Sequence, residues 1–139
     1  MDSSSFQVNE AWIAFQLNDA PIQTAQDGSF NCVALMDAAT GYIVGNAFVP
    51  THPGEGSQLD IRRLFKTGWD QQRQFPRKLI VPTGQFLTVL PAEAKRCGIA
   101  VVRFAERELL PFIDEARQSF REHTQGGAGR SAANDPRRR

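Results

Sequence analysis

The chain is poor in the residues that most often build metal and redox sites. Its 139 residues hold two cysteines and two histidines. Cys32 and Cys97 have no partner at metal-ligand or redox-motif spacing, and His52 and His123 form neither an HxxxH nor an HExxH pattern. A histidine-based metal site and a disulfide framework are therefore disfavoured, and both thiols read as small core residues. Long apolar runs are missing too: nothing approaches the ~18 residues that a membrane-spanning helix requires. The opening MDSSSFQVNE has neither a basic start nor an apolar stretch, so no secretory signal is expected and the expected location is cytoplasmic. A net charge of +1 does not by itself select a nucleic-acid partner. GxxxxGK[ST], GxGxxG after a strand, and GxSxG are all absent, which removes the phosphate loop, the dinucleotide fold and the nucleophile elbow.

What is present is the composition of a soluble globular protein, 41% hydrophobic and 22% charged, in a length that suits one domain. The most informative stretch is 31–49, NCVALMDAATGYIVGNAFV. Residues 32–36 and 43–49 are almost wholly apolar around a turn at 38–41, which predicts a central hairpin buried on both faces. Ahead of it, 11–17 (AWIAFQL) alternates Trp12, Ala14 and Gln16 with Ile13, Phe15 and Leu17, as a strand does. The turn-rich 18–29 links the two, and 50–56 (PTHPGEG) is a loop.

Helical spacing of Ile61, Leu64, Phe65, Gly68 and Trp69 predicts an amphipathic helix over 57–72, with Ser57 as its N-cap and Asp60 in its first turn. A strand follows at 78–82, then a helix over 86–97 in which Pro91 starts or kinks the main segment and Gly98 ends it. A last strand, 99–104, leads to a helix with a stripe of Leu109, Phe112, Ile113, Ala116 and Phe120, running to about His123, with Pro111 in its first turn. The order βββαβαβα makes an α/β domain over 1–123: a mixed five-stranded sheet, three antiparallel strands then two parallel ones, with about three helices. Residues 124–139 carry three glycines and no large apolar side chain and are expected to be a disordered tail.

Few residues offer chemistry. Gly54, Gly56 and Ser57 stand just before a helix and could cradle an anion on backbone amides, although a plain loop is the preferred reading. Arg137, Arg138 and Arg139 could touch phosphates without specificity. Asp37 closes a strand before a turn, where Asp commonly binds its own loop amides, and that role is taken ahead of metal ligation. Asp114 and Glu115 lie on the last helix and read first as surface charge.

The element order resembles the ribonuclease H-like fold of integrase and transposase catalytic cores, as in uncharacterised bacterial domains. Asp37 in ALMDAATGYIVG looks like the early acid of that pattern, and VPTGQF followed by CGIAVV echoes its second segment in Gly84, Phe86 and the Gly98–Ile99 step. Pro82 stands where the second acid belongs; Asp114 and Glu115 are available for the third. The resemblance therefore implies a degenerate core: a non-catalytic binding or interaction module without a cofactor, whose partner is unknown and could be a protein or a second copy. The alternative is a divalent-metal-dependent nuclease or transposase-derived enzyme holding Mg²⁺ on Asp37 and Glu115. Two-metal phosphoryl transfer needs several converging carboxylates, which is why the loss at Pro82 matters.

Overall fold

The computed structural model describes residues 3–24, 28–51 and 56–123. The 124–139 tail, with Arg137, Arg138 and Arg139, lies outside them, as do His52 and Gly54. After a short 3-10 turn at Ser3–Ser5 come β1 (Ala11–Gln16), β2 (Ile22–Thr24), β3 (Gly28–Asp37), β4 (Ile43–Pro50), α1 (Gln58–Gln72), β5 (Lys78–Pro82), α2 (Val89–Arg96), β6 (Ala100–Phe104) and α3 (Glu106–Arg121). No helix among the described residues is long and apolar enough to cross a membrane.

The mixed sheet has the expected plan. β1 pairs antiparallel with β3 and β3 antiparallel with β4, while β1 pairs parallel with β5 and β5 parallel with β6. The sixth strand is β2, three residues within the stretch expected only to link. Its pairing of Ile22 with Phe30, which also pairs with Pro50 of β4, sets it on the β1 side of β3.

Alternation sorts the strands into two cores, as the pleat requires. Trp12, Ala14, Val33, Leu35, Leu79 and Val81 face α1 and α2, meeting Ile61, Leu64, Phe65, Leu90 and Ala94. Ile13, Phe15, Cys32, Ala34, Met36 and Ile80 face α3, meeting Leu109, Phe112 and Ile113. Ser57 is the N-cap of α1: its hydroxyl accepts the Asp60 amide hydrogen at 3.0 Å, and the Asp60 carboxylate accepts that of Ser57 at 3.3 Å. Close packing of α1 on the sheet depends on Gly68, because a Cβ there would stand 2.8 Å from two ring atoms of Trp12.

Two expectations need correction. The hairpin is not buried throughout: β3 is interior, but β4 is an edge strand whose Asn46, Phe48 and Pro50 are exposed, because α3 does not reach over that margin. And α3 begins at Glu106, so Pro111 falls in its second turn on the exposed side rather than in its first.

Candidate functional site

In open α/β sheets a ligand crevice forms beyond the carboxyl ends of the parallel strands. Here that place is defined by Pro82 and Phe15. Ile13 pairs with Ile80, and the same register carried two residues further sets Phe15 level with Pro82. Phe15 is fully buried. Neither residue can ligate a metal or transfer a proton.

The turn after β5 is held by one cation. Arg103, on the neighbouring β6, donates from Nη1 to Pro82 O at 3.2 Å and Gln85 O at 2.7 Å, and from Nη2 to Phe86 O at 3.0 Å. This clamp accompanies an unusual backbone, with Gly84 at φ 84° and Phe86 at φ 51°. A second cation stands at the carboxyl end of β1. Arg117 of α3 donates from Nε to Gln16 O at 2.9 Å, pairs through Nη2 with Glu106 at 2.9 Å, and lies 5.9 Å from the centre of the Phe15 ring. Glu106 also accepts from Gln85 Nε2 at 2.9 Å. The carboxylate nearest Pro82 in this cluster is thus neutralised by a guanidinium that is 15% exposed.

Asp37 is elsewhere. It pairs with Trp12 at the start of β1, so it stands roughly 10 Å from Pro82 along the strands and about as far across them. Its side chain is buried and occupied: Oδ1 accepts the Asn9 amide hydrogen at 2.9 Å and Oδ2 the Thr40 hydroxyl at 2.9 Å. Asn9, held at φ 63°, in turn accepts the Trp12 indole hydrogen at 3.1 Å. That is the role of a turn and loop anchor.

Asp114 and Glu115 are both exposed on α3. Glu115 lines a groove of about 610 Å³ between α3 and the β3–β4 turn, together with Met36, Ile43, Phe112, Phe120 and His123. The groove brings Glu115 to the turn that follows Asp37, not to the Pro82 mouth. At the start of α1, the Ser57 hydroxyl is spent on the cap and Asp60 already supplies negative charge there, while Gly56 is left-handed at φ 84° with Val49 where its Cβ would go.

One further buried carboxylate escaped notice in the sequence. Glu93 of α2 has a side chain only 4% exposed, covered by Arg62 and Arg96, each with Nε 2.9 Å from Oε1, and by Gln58 at 3.0 Å from Oε2. The Arg96 hydrogen bond chiefly, with those of Gln58 and Arg62, holds its pKa down to about 2 against the cost of burial. Because Arg62 belongs to α1 and Glu93 to α2, this cluster ties the two helices together. Cys32 is buried and its thiol is pushed up to about 11 by that burial, so it is no nucleophile. Among the described residues no three or more His, Cys, Asp or Glu side chains come together as a metal would need.

No family model matches the chain, and no curated protein matches its sequence. Solved structures do resemble it. A chain of the simian T-cell lymphotropic virus intasome, determined in complex with PP2A regulatory subunit B56 gamma, superposes with a TM-score of 0.60 at 8% identity over 93% of this chain. The present chain spans 44% of that one. The HTLV-2 integrase catalytic core domain in complex with magnesium gives 0.52 at 10% identity, covering 82% of this chain and 86% of that one. The catalytic core domain of BIV integrase gives 0.51 at 13% identity, covering 92% and 75%. The chain has the ribonuclease H-like fold of integrase catalytic cores.

Proposed function

We propose that this chain is a non-catalytic ribonuclease H-like module, kept for binding or interaction rather than for phosphoryl transfer. The observation that carries the reading is Arg117. Its guanidinium occupies the mouth beyond β1 and β5, bonded to Gln16 O and Glu106, where a divalent cation would have to approach against like charge. Pro82 and Phe15 supply no ligand beside it, and Asp37 is committed to Asn9 and Thr40 at the other end of the sheet. The Mg²⁺-dependent nuclease reading would have to draw its acids from Asp37 and Glu115, and the burial and bonding of Asp37 speak against it.

The direct test is to incubate the chain with labelled duplex DNA in Mg²⁺ and in Mn²⁺. The expected result is no cleavage above buffer. Metal-dependent cleavage that is lost in Asp37→Asn or Glu115→Gln would overturn the proposal.

A further inference from the structure

β4 pairs with β3 and with no other described strand, so it is the margin of the sheet. Hydrogen-bond parity tells which of its backbone groups look outward. Leu17 N–H donates to Cys32 O, which turns the backbone groups of Cys32, Ala34 and Met36 toward β1. Thr51 N–H donates to Ser29 O, which turns those of Ser29, Asn31, Val33 and Leu35 toward β4. Val49 and Ala47, the partners of Asn31 and Val33, therefore face inward. Asn46 and Phe48 direct their N–H and C=O away from the sheet. This outward ladder is closed at both ends, by the register shift opposite Leu35 and Met36 and by Pro50, which has no N–H to offer.

We propose that β4 is a homodimerisation edge, pairing antiparallel with β4 of a second copy of this chain about a two-fold axis at Ala47. In that register Asn46 of each copy lies opposite Phe48 of the other, and each such pair exchanges two hydrogen bonds. The four outward groups of Asn46 and Phe48 in each strand are then satisfied.

The occupant follows from charge. Residues 38–51 contain no charged side chain. A two-fold contact places each residue near its own copy, so a lysine or glutamate close to the axis would meet the same charge again at roughly 5–8 Å. Sheet edges are commonly protected from self-pairing by such charges, and β4 has none between its bulge and its proline. It does expose Phe48, at 57%. Across the axis the two Phe48 side chains become diagonal neighbours, ~7–8 Å apart and within aromatic reach. Ala47 at the axis is small enough for the close approach of about 4.5 Å between opposed Cα atoms that a non-hydrogen-bonded pair makes.

The test is sedimentation equilibrium of the full chain from micromolar to millimolar concentration, where a monomer–dimer equilibrium is expected. Phe48→Glu sets two carboxylates beside the axis, and Asn46→Pro removes an outward N–H without touching a bond to β3. Each is expected to weaken dimerisation at least about tenfold while the thermal midpoint at low concentration is kept. Ala47→Cys should form an interchain disulfide in oxidised glutathione, and the unsubstituted chain should not. A chain that stays monomeric throughout overturns the proposal, as does a dimer indifferent to both substitutions, which would lie on another face. Should either variant misfold, the Ala47→Cys crosslink decides: its absence under oxidising conditions overturns the pairing.

Discussion

Asp37 Oδ1 accepts the amide hydrogen of Asn9 at 2.9 Å, across 28 residues of sequence. Through that bond the carboxylate fixes a left-handed residue, which in turn holds the indole of the fully buried Trp12. Asp37 is therefore a structural acid. Asp37→Ala should cost about 1–3 kcal/mol, the usual range when a buried partner is removed and its donors are stranded. Asp37→Asn keeps an acceptor and should cost less. Denaturant unfolding of the two variants checks the order, and equal stability of both with the unsubstituted chain would contradict it.

Gly68 should tolerate no side chain. Alanine would gain about 1 kcal/mol of helix propensity, but its Cβ would come within 2.8 Å of the Trp12 ring. Overpacking of a fitted core costs about 1–3 kcal/mol, so the net change in Gly68→Ala is destabilising. A raised thermal midpoint would show that α1 can lift off the sheet freely.

Glu93 sets an acid limit. Its folded pKa is lowered from 4.5 to about 2, so its contribution is fully present above 4.5 and is lost as pH falls through that interval. Thermal midpoints measured between those two values should fall more steeply for the unsubstituted chain than for Glu93→Gln. Parallel profiles would mean that the Arg62–Glu93–Arg96 cluster contributes nothing.

Much of this fold is legible in the residues, for reasons that can be named. The unbroken apolar run of β3 marks a strand buried on both faces, the alternation of β1 marks a strand with one wholly apolar face, and Ser57 with Asp60 marks the start of α1; the burial of the second face of β1 comes only with the helices packed on both sides of the sheet. β4 misleads because an edge strand can be as apolar as a central one; only its neighbours tell them apart. β2, three residues after Pro21, is too short to show a period. The site is less legible still. Arg117 reads as one more polar residue of an amphipathic helix, since its partner Gln16 lies 101 residues away. Glu93 sits in a PAEAKR stretch that any exposed helix could carry, and its burial depends on Arg62 in another element. Pro82, by contrast, needs no coordinates to be read as a residue that offers no side-chain ligand at the end of a strand.

The tail at 124–139 carries four arginines and one aspartate, whereas the rest of the chain is slightly acidic. Any affinity for duplex DNA should reside there, with log affinity falling against log salt at a slope no steeper than roughly −3.6 for four phosphates. Removing the tail should abolish that binding and leave the thermal midpoint unchanged. Tight, sequence-dependent binding that survives the deletion would instead locate a nucleic-acid surface on the sheet or helices.

The central claim is that the mouth beyond β1 and β5 is closed to metal by Arg117, Glu106 and Pro82. Titration with Mn²⁺, followed by paramagnetic broadening of backbone amide signals, tests it most directly. The expected outcome is no saturable loss at Gln16, Pro82-adjacent Thr83, Gln85, Glu106 or Arg117, and none at Asp37 or Glu115. Saturable broadening centred on either group at submillimolar Mn²⁺ would contradict the account and return the chain to the metal-dependent enzymes.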